Sequence, residues 1–448
     1  GAGHPRNGHR LWLINSVHMK SETALNATIR ATDTVDIHRM LSVAESELNH
    51  LRKYTTIWYV AWLRGDLDIS ALRAAATALQ HKHPFLAARV DPVGRRFRVT
   101  TEPVKDVVTL QTEPLDDVAT LPVLSLDDGT FAILVHPRQA GHAVAVGVDH
   151  SIADARLSYV YFYELWELYT QIVTTGEIPH PPRQPIPVAP ESAMESRGLM
   201  RTALPDKDWF GATSWGGRQQ ESSAASAPVL GWKQRFDPET SAALRTAARH
   251  RQTTVNTLIT GVIALAERAL IFVDTDEPVN LGFESLVDYR RHLTPPAELG
   301  EIANGIMIAR SQVLIRGNDD PVQIGAEVAR QIHEDIDTGF LVQSVHHIAD
   351  GVLTGGFGPF IRITNPGVLP IPPLPQDVIL EDFDAQLTTP PATIAGGVLT
   401  PQASRYEVYS IGDEFTIVCK FPEASLTDDQ AAALRTDIVA RVHGLANR

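Results

Sequence analysis

A chain of 448 residues with a formal net charge of -14 has room for two or three domain-sized cores, and it has no long Lys/Arg run of the kind that binds nucleic acid. Its 44% hydrophobic and 21% charged residues are those of an ordinary globular protein. One cysteine, Cys419, excludes an internal disulfide framework and a multi-cysteine metal site, and it fits a cytoplasmic location. The longest apolar stretch, Leu258 to Val273, is broken by Glu267 and Arg268, so no membrane span is expected.

In chain order, residues 1–18 lack periodicity and precede Met19-Lys20-Ser21-Glu22, which reads as a native start. They are read as an expression-tag remnant rather than a secretory signal, since Leu11 to Val17 is too short and too polar. Ser42-Val43-Ala44-Glu45 has the form of a capping box, so a helix is expected from Ser42. Thr55 to Leu63 reads as a strand, and Asp68 caps a helix with Ile69, Leu72, Ala75, Ala76 and Leu79 on one face. Phe131 to His136 and Ala143 to Val148 form two further strands. In the second, Val144, Val146 and Val148 alternate as in a half-buried strand.

Beyond Asp154 the spacing becomes helical, from Leu157 through Ile172 to Gly176. Residues 179–228, rich in Pro, Ser and Gly, are expected to link an N-terminal lobe (19–178) to a C-terminal lobe (229–448). In the second lobe, Asp237-Pro238-Glu239 and Thr253 or Thr254 open helices, and Val279 to Phe283 is a strand candidate. Gly412-Asp413 joins a hairpin from Tyr406 to Phe421, and Thr427-Asp428-Asp429-Gln430 caps a terminal helix. Mixed helices and strands without regular alternation give a mixed α/β fold in two lobes.

The spacing His-x-x-x-Asp occurs three times. His333 and Asp337 lie in a polar, helix-like segment, and His346 with Asp350 reads as an i,i+4 hydrogen bond on a helix. His150 and Asp154 differ because a strand leads into them and a helix leaves. Backbone N–H groups are exposed at such a junction, and a histidine there reaches a cleft as a general base. The competing reading of His150 is a strand-end histidine satisfied locally. There is no Gly-x-Ser-x-Gly elbow and no His-Glu-x-x-His, so neither a serine hydrolase nor a metal hydrolase is indicated.

Several motifs, in a fixed order, separate these readings. Arg39 to Glu45, Ala78 to Leu86 around His83-Pro84, His150 to Asp154, Val287-Asp288-Tyr289-Arg290 with Asn304-Gly305, and Thr364-Asn365-Pro366-Gly367 together resemble a known series. It is that of the acyltransferase superfamily of chloramphenicol acetyltransferase, peptide-synthetase condensation domains and polyketide-associated acyltransferases. The resemblance implies two chloramphenicol-acetyltransferase-like lobes with the active site in a channel between them. It departs from the family's His-His-x-x-x-Asp-Gly at Asp149 and Ala155. Ala155 adds only a methyl, tolerable unless the position needs positive φ.

The resemblance further implies an O-acyltransferase. His150 would be the base for an alcohol attacking a thioester, without a covalent acyl-enzyme, and backbone N–H groups from Ala155 onward would support the oxyanion. Asp154 would hold the site's shape by pairing with Arg290 across the lobes, and Asn304 and Asn365 would lie near the lobe interface. Arg290 also reads as a surface residue of the pair Arg290-Arg291, and either asparagine as an ordinary turn residue. No bound cofactor and no metal are expected, and acyl-CoA or an acyl-phosphopantetheine carrier would be co-substrate. Expected partners are the thioester donor and a hydroxylated small molecule, with no nucleic acid, and a monomer is expected. Arg245, Arg249 and Arg251 read as a carrier-docking cluster or as a solvated helix face. An amide-forming condensation enzyme and a silent carrier-binding module remain as alternatives.

Overall fold

The computed structural model describes residues 40–42, 44–48, 55–91, 96–99, 107–125, 129–207, 229–271, 274–350, 360–388, 404–422 and 426–447. Residues 1–18 and Arg39 lie outside them, as does 208–228 of the expected linker. The N-terminal half contributes strands β1 (Met40–Ser42), β2 (Thr56–Arg64), β3 (Arg89–Asp91), β4 (Arg96–Arg98), β5 (Val108–Leu110), β6 (Phe131–Arg138) and β7 (Gly141–Asp149). Helices α1 (Ile69–Lys82) and α2 (Ala155–Thr175) pack on each other. Beyond residue 189 come α3 (Pro190–Glu195), β8 (Val229–Arg235), α4 (Pro238–His250), α5 (Val255–Ala269), β9 (Val279–Asp288) and β10 (Ile306–Ile315). The chain continues with α6 (Pro321–Asp337), α7 (Phe340–His346), β11 (Phe360–Leu369), β12 (Ile379–Thr388), β13 (Arg405–Ile411), β14 (Glu414–Pro422) and α8 (Asp428–Ala446).

Two large sheets organise the molecule. The first runs β12-β2-β7-β6-β5 and the second β10-β9-β11-β13-β14-β8. β12 comes from the second half of the sequence yet pairs antiparallel with β2 along its whole length. A boundary at residue 229 therefore divides the chain but not the sheets. Each sheet covers its own apolar core, one under α1 and α2, the other under α4, α5 and α8.

Six helices start where a polar side chain caps the first turn: Asp68, Asp154, Asp237, Thr254, Asp320 and Thr427 each accept a backbone N–H two or three residues inside. The expected start at Ser42 is not found. Ser42 ends β1, helix begins at residue 45, and Glu47 Oε2 accepts the Ala44 N–H at 2.8 Å. The carboxylate half of a capping box is present, two residues later than the spacing suggests.

β7 also departs from its expectation. Val144, Val146 and Val148 enter the core beneath the helices, but Ala143 and Ala145 on the other face are equally buried, against Trp58 and Leu121. The alternation sorts residues by size rather than by exposure. At Gly147 a Cβ would stand 2.6 Å from the Trp58 ring, so only glycine fits beneath it.

Candidate active site

β7 delivers Asp149 to the edge of the first sheet, and the chain turns there before α2. The His150 N–H donates to Thr55 O at 2.9 Å, holding the turn against β2. Asp149 is buried, and its Oδ1 accepts both the Ser151 N–H (2.9 Å) and the Ser151 hydroxyl (2.5 Å). Burial pushes its carboxyl up to about 6, against the lowering effect of those two bonds. This clamp on the turn gave no signal in the sequence beyond the departure from the family's histidine.

Asp154 uses both carboxylate oxygens. Oδ1 caps α2 through the Leu157 N–H at 3.0 Å. Oδ2 accepts the Gly305 N–H at 2.7 Å and the Arg290 guanidinium at 2.6 Å, with both side chains 2% exposed. Arg290 Nη2 also donates to Ile302 O, and its Nη1 to Asp288 Oδ1. Arg290 is thus an interior residue, while Arg291 is exposed. A Cβ at position 305 would lie 2.2 Å from the Arg290 guanidinium carbon, which explains the glycine after Asn304. The Asp154 N–H crosses to Ala303 O at 2.9 Å, and Arg156 pairs with Asp288 at 2.8 Å.

Asn304 fixes the histidine. Its Nδ2 donates to His150 O (3.0 Å) and Ser151 O (3.2 Å), which orients its Oδ1 toward His150 Nδ1 at 3.1 Å. An amide oxygen only accepts, so Nδ1 carries the proton and the basic lone pair falls on Nε2. Ala155 is the first residue of α2, and its carbonyl accepts the Tyr59 hydroxyl at 2.6 Å. Gln252 is the one non-glycine residue with positive φ among the described residues, so Ala155 occupies its place without backbone strain.

Asn365 is not brought into this network: its Nδ2 donates to Asn256 and its Oδ1 accepts the Gly367 N–H. The expected His346–Asp350 bond is also absent. His346 bonds Leu199 O at 2.8 Å, and Asp350 instead meets His347 Nδ1 at 2.7 Å. His333 bonds Ala329 O one turn back on α6. Arg249 and Arg251 bond Thr246 and Ala247 of their own helix, as a solvated face does. Among the described residues, no cluster of three His, Cys, Asp or Glu side chains has the arrangement to hold a metal, and no helix is long and apolar enough to cross a membrane.

Residues 227–420 match the family model of the phthiocerol/phthiodiolone dimycocerosyl transferase C-terminus. A protein of that name from Mycobacterium ulcerans is 26% identical over 361 residues, 78% of this chain and 85% of the relative. Among solved structures, polyketide synthase associated protein 5 from Mycobacterium tuberculosis superposes with a TM-score of 0.69 at 20% identity, over 90% of this chain and 96% of that one. The chain is thus similar in sequence to phthiocerol/phthiodiolone dimycocerosyl transferases, and its fold is that of condensation domains. Trichothecene 15-O-acetyltransferase from Fusarium sporotrichioides has the same fold, with a TM-score of 0.60 at 13% identity over 92% and 95% of the two chains. The mixed α/β architecture places His150 just past the end of β7 in the first sheet, with its partner Asn304 and Asp154's partner Arg290 on the segment between β9 and β10 of the second.

Proposed function

We propose that this protein is an O-acyltransferase that moves an acyl group from a thioester to an alcohol, with His150 as general base. One observation carries the reading: Asn304 holds the imidazole in the tautomer that leaves Nε2 basic. Nε2 takes the acceptor's hydroxyl proton as the alcohol oxygen attacks the thioester carbonyl carbon. Collapse of the tetrahedral intermediate breaks the C–S bond, and the departing thiolate recovers that proton from the imidazolium. The catalytic cycle then closes with an ester, a thiol and neutral histidine.

No protein nucleophile is required. Cys419 is buried in the second core with its thiol pushed well above the usual range by burial, and the Ser151 hydroxyl is committed to Asp149. For the oxyanion, the Leu157 and Ser158 N–H groups are taken by Asp154 itself. That assigns the role to Ala155 and Arg156, the first two N–H donors of α2, which neither Asp154 oxygen takes. Asp154 and Arg290 are positioning residues in this scheme, tying the turn to the second lobe. The lobes are taken as 19–178 and 229–448, joined by 179–228, except that β12 of the second stretch completes the first lobe's sheet; acyl-CoA or an acyl-phosphopantetheine carrier is the donor, in a cytoplasmic setting.

Mass spectrometry of products from a panel of acyl thioesters with alcohols and amines tests the proposal. Esters formed by the wild type and lost in His150→Ala, with donor binding intact, are the expected result. Amides without esters would move the protein to the condensation-type reaction. Bound thioester without any product would make it a silent module.

A further inference from the structure

Strand β2, with Thr55 just before it, holds the catalytic turn at both ends. Thr55 O takes the His150 N–H at 2.9 Å where the turn begins, and the Tyr59 hydroxyl reaches Ala155 O at 2.6 Å where it ends. Tyr59 is 3% exposed and stands opposite Val146 of β7 and Ala385 of β12. Its ring stacks on Phe383 (5.6 Å) and meets Tyr159 of α2 edge-on (5.3 Å), which fixes where the hydroxyl points. Burial first, then the nearby Glu407 and Asp154 charges, lifts that hydroxyl well above its usual range. It therefore stays protonated, and toward a carbonyl it can only donate.

The turn leaves two backbone donors open. Of the four N–H groups that begin α2, that of Asp154 goes to Ala303 O and that of Leu157 to Asp154 Oδ1. Those of Ala155 and Arg156 have no acceptor among the described residues. Their peptide groups differ at the carbonyl end. The Ala155 N–H shares its planar group with Asp154 O, which accepts the Ser158 N–H at 2.8 Å in the ordinary helical pattern. The Arg156 N–H shares its group with Ala155 O, the atom that Tyr59 bonds. A hydrogen bond to that oxygen polarises the whole group and makes its N–H a better donor.

Packing does not by itself demand this bond. Two other tyrosines meet the same Phe383 ring, and their hydroxyls fare differently. Tyr159 donates to Pro370 O at 2.5 Å, and the buried Tyr409 hydroxyl has no partner. We propose that Tyr59 is a positioning residue for acyl transfer. Its hydroxyl holds and polarises the Ala155–Arg156 peptide, so that the Arg156 N–H binds the thioester carbonyl oxygen more strongly as negative charge gathers there. This rests on the acyl-transfer reading and supplies the support behind one of its oxyanion donors. The bond acts mainly in the transition state, so it raises kcat more than it lowers KM.

The test compares wild type with Tyr59→Phe, Tyr159→Phe and Tyr409→Phe, each losing one hydroxyl from the same cluster. Octanoyl-CoA or palmitoyl-CoA is the donor and octanol the acceptor. Tyr59→Phe is expected to lower kcat about 5- to 20-fold, a fraction of the roughly 100-fold or greater loss when an oxyanion donor is deleted. KM for the donor stays nearly unchanged, and the other two variants keep wild-type kcat per folded molecule. An equal kcat loss in Tyr159→Phe, or an effect of Tyr59→Phe confined to KM, would overturn the proposal and leave Tyr59 a packing residue. Infrared spectra of the same two thioesters, with an isotope-labelled carbonyl and bound to His150→Ala, read the bond without turnover. Adding Tyr59→Phe should move the carbonyl band to higher frequency, because the oxygen is held less strongly. That shift supports the role of Tyr59 even if the wild type forms no ester. An unmoved band rejects that role while leaving ester formation by the wild type as evidence for acyl transfer. Failure of both thioesters to bind would overturn the acyl-transfer reading and this inference with it. If Tyr59→Phe does not fold, 3-fluorotyrosine at position 59 keeps the packing with a stronger donor. The band should then move to lower frequency, and no movement rejects the proposal.

Discussion

His150–Asp154 and His346–Asp350 share one spacing and nothing else. At the first, a strand ends, the chain turns and a helix begins, so the aspartate reaches back to cap α2 while its second oxygen takes Arg290 and Gly305. At the second, the histidine closes α7 and bonds Leu199 O, and the aspartate sits on a short 3-10 turn, 49% exposed, held by His347 and Arg201. Spacing alone carries no chemistry. What separates the two is the change of backbone period and the burial of the carboxylate, because only a buried carboxylate with directed donors fixes a turn between two lobes.

The largest expected difference is in turnover. His150→Ala should lower kcat by about 100- to 10,000-fold, the usual contribution of a positioned base, while His346→Ala leaves kcat per folded molecule within a factor of a few. Comparable losses in a steady-state ester assay would erase the distinction. Next comes the buried ion pair. Arg290→Ala strands the Asp154 carboxylate in the interior and should cost about 3–5 kcal/mol in a denaturation experiment. A loss under 1 kcal/mol would show that the pair is not what joins the lobes.

Asp149 gives a pH-dependent version of the same contrast. Its carboxyl stands at about 6 against a usual 3.8, so the folded state prefers it protonated. The favourable contribution is therefore fully present below about pH 4 and is lost as pH rises through 6. Asp149→Asn does not ionise, so its stability relative to wild type should climb between pH 4 and 6 and level off, by on the order of 3 kcal/mol. A flat difference across that range contradicts the assignment. The smallest effect belongs to the exposed pair: Asp350→Ala should change stability by less than about 1 kcal/mol, and a larger loss would mean the second motif holds structure too.

Much of the frame is legible from residues alone. Caps at Asp68, Asp154, Asp237, Thr254 and Thr427 are visible because a polar side chain just before an apolar period satisfies the first-turn N–H groups whatever the tertiary context. β12 is not legible. Three acidic residues interrupt Ile379-Leu380-Glu381-Asp382-Phe383-Asp384, and its strand exists because β2, over 300 residues earlier, pairs with it and Lys233 takes Asp382 and Asp384. Ser42 misleads because capping depends on where the strand before it ends. The His150 site was legible as a junction, and the Asp154–Arg290 pairing only through family resemblance. The Asn304 bonds that set the tautomer and the Asp149–Ser151 clamp depend on distances no spacing encodes.

Direct transfer, with His150 acting as base and never as an acyl carrier, is the central claim. Rapid-quench intact-protein mass spectrometry through one turnover tests it most directly, with a labelled acyl thioester added first without and then with an alcohol. The account predicts a protein mass unchanged at every time point, with labelled ester appearing only once the alcohol is present. A protein species heavier by one acyl group, formed before the alcohol is added and discharged by it, would contradict it.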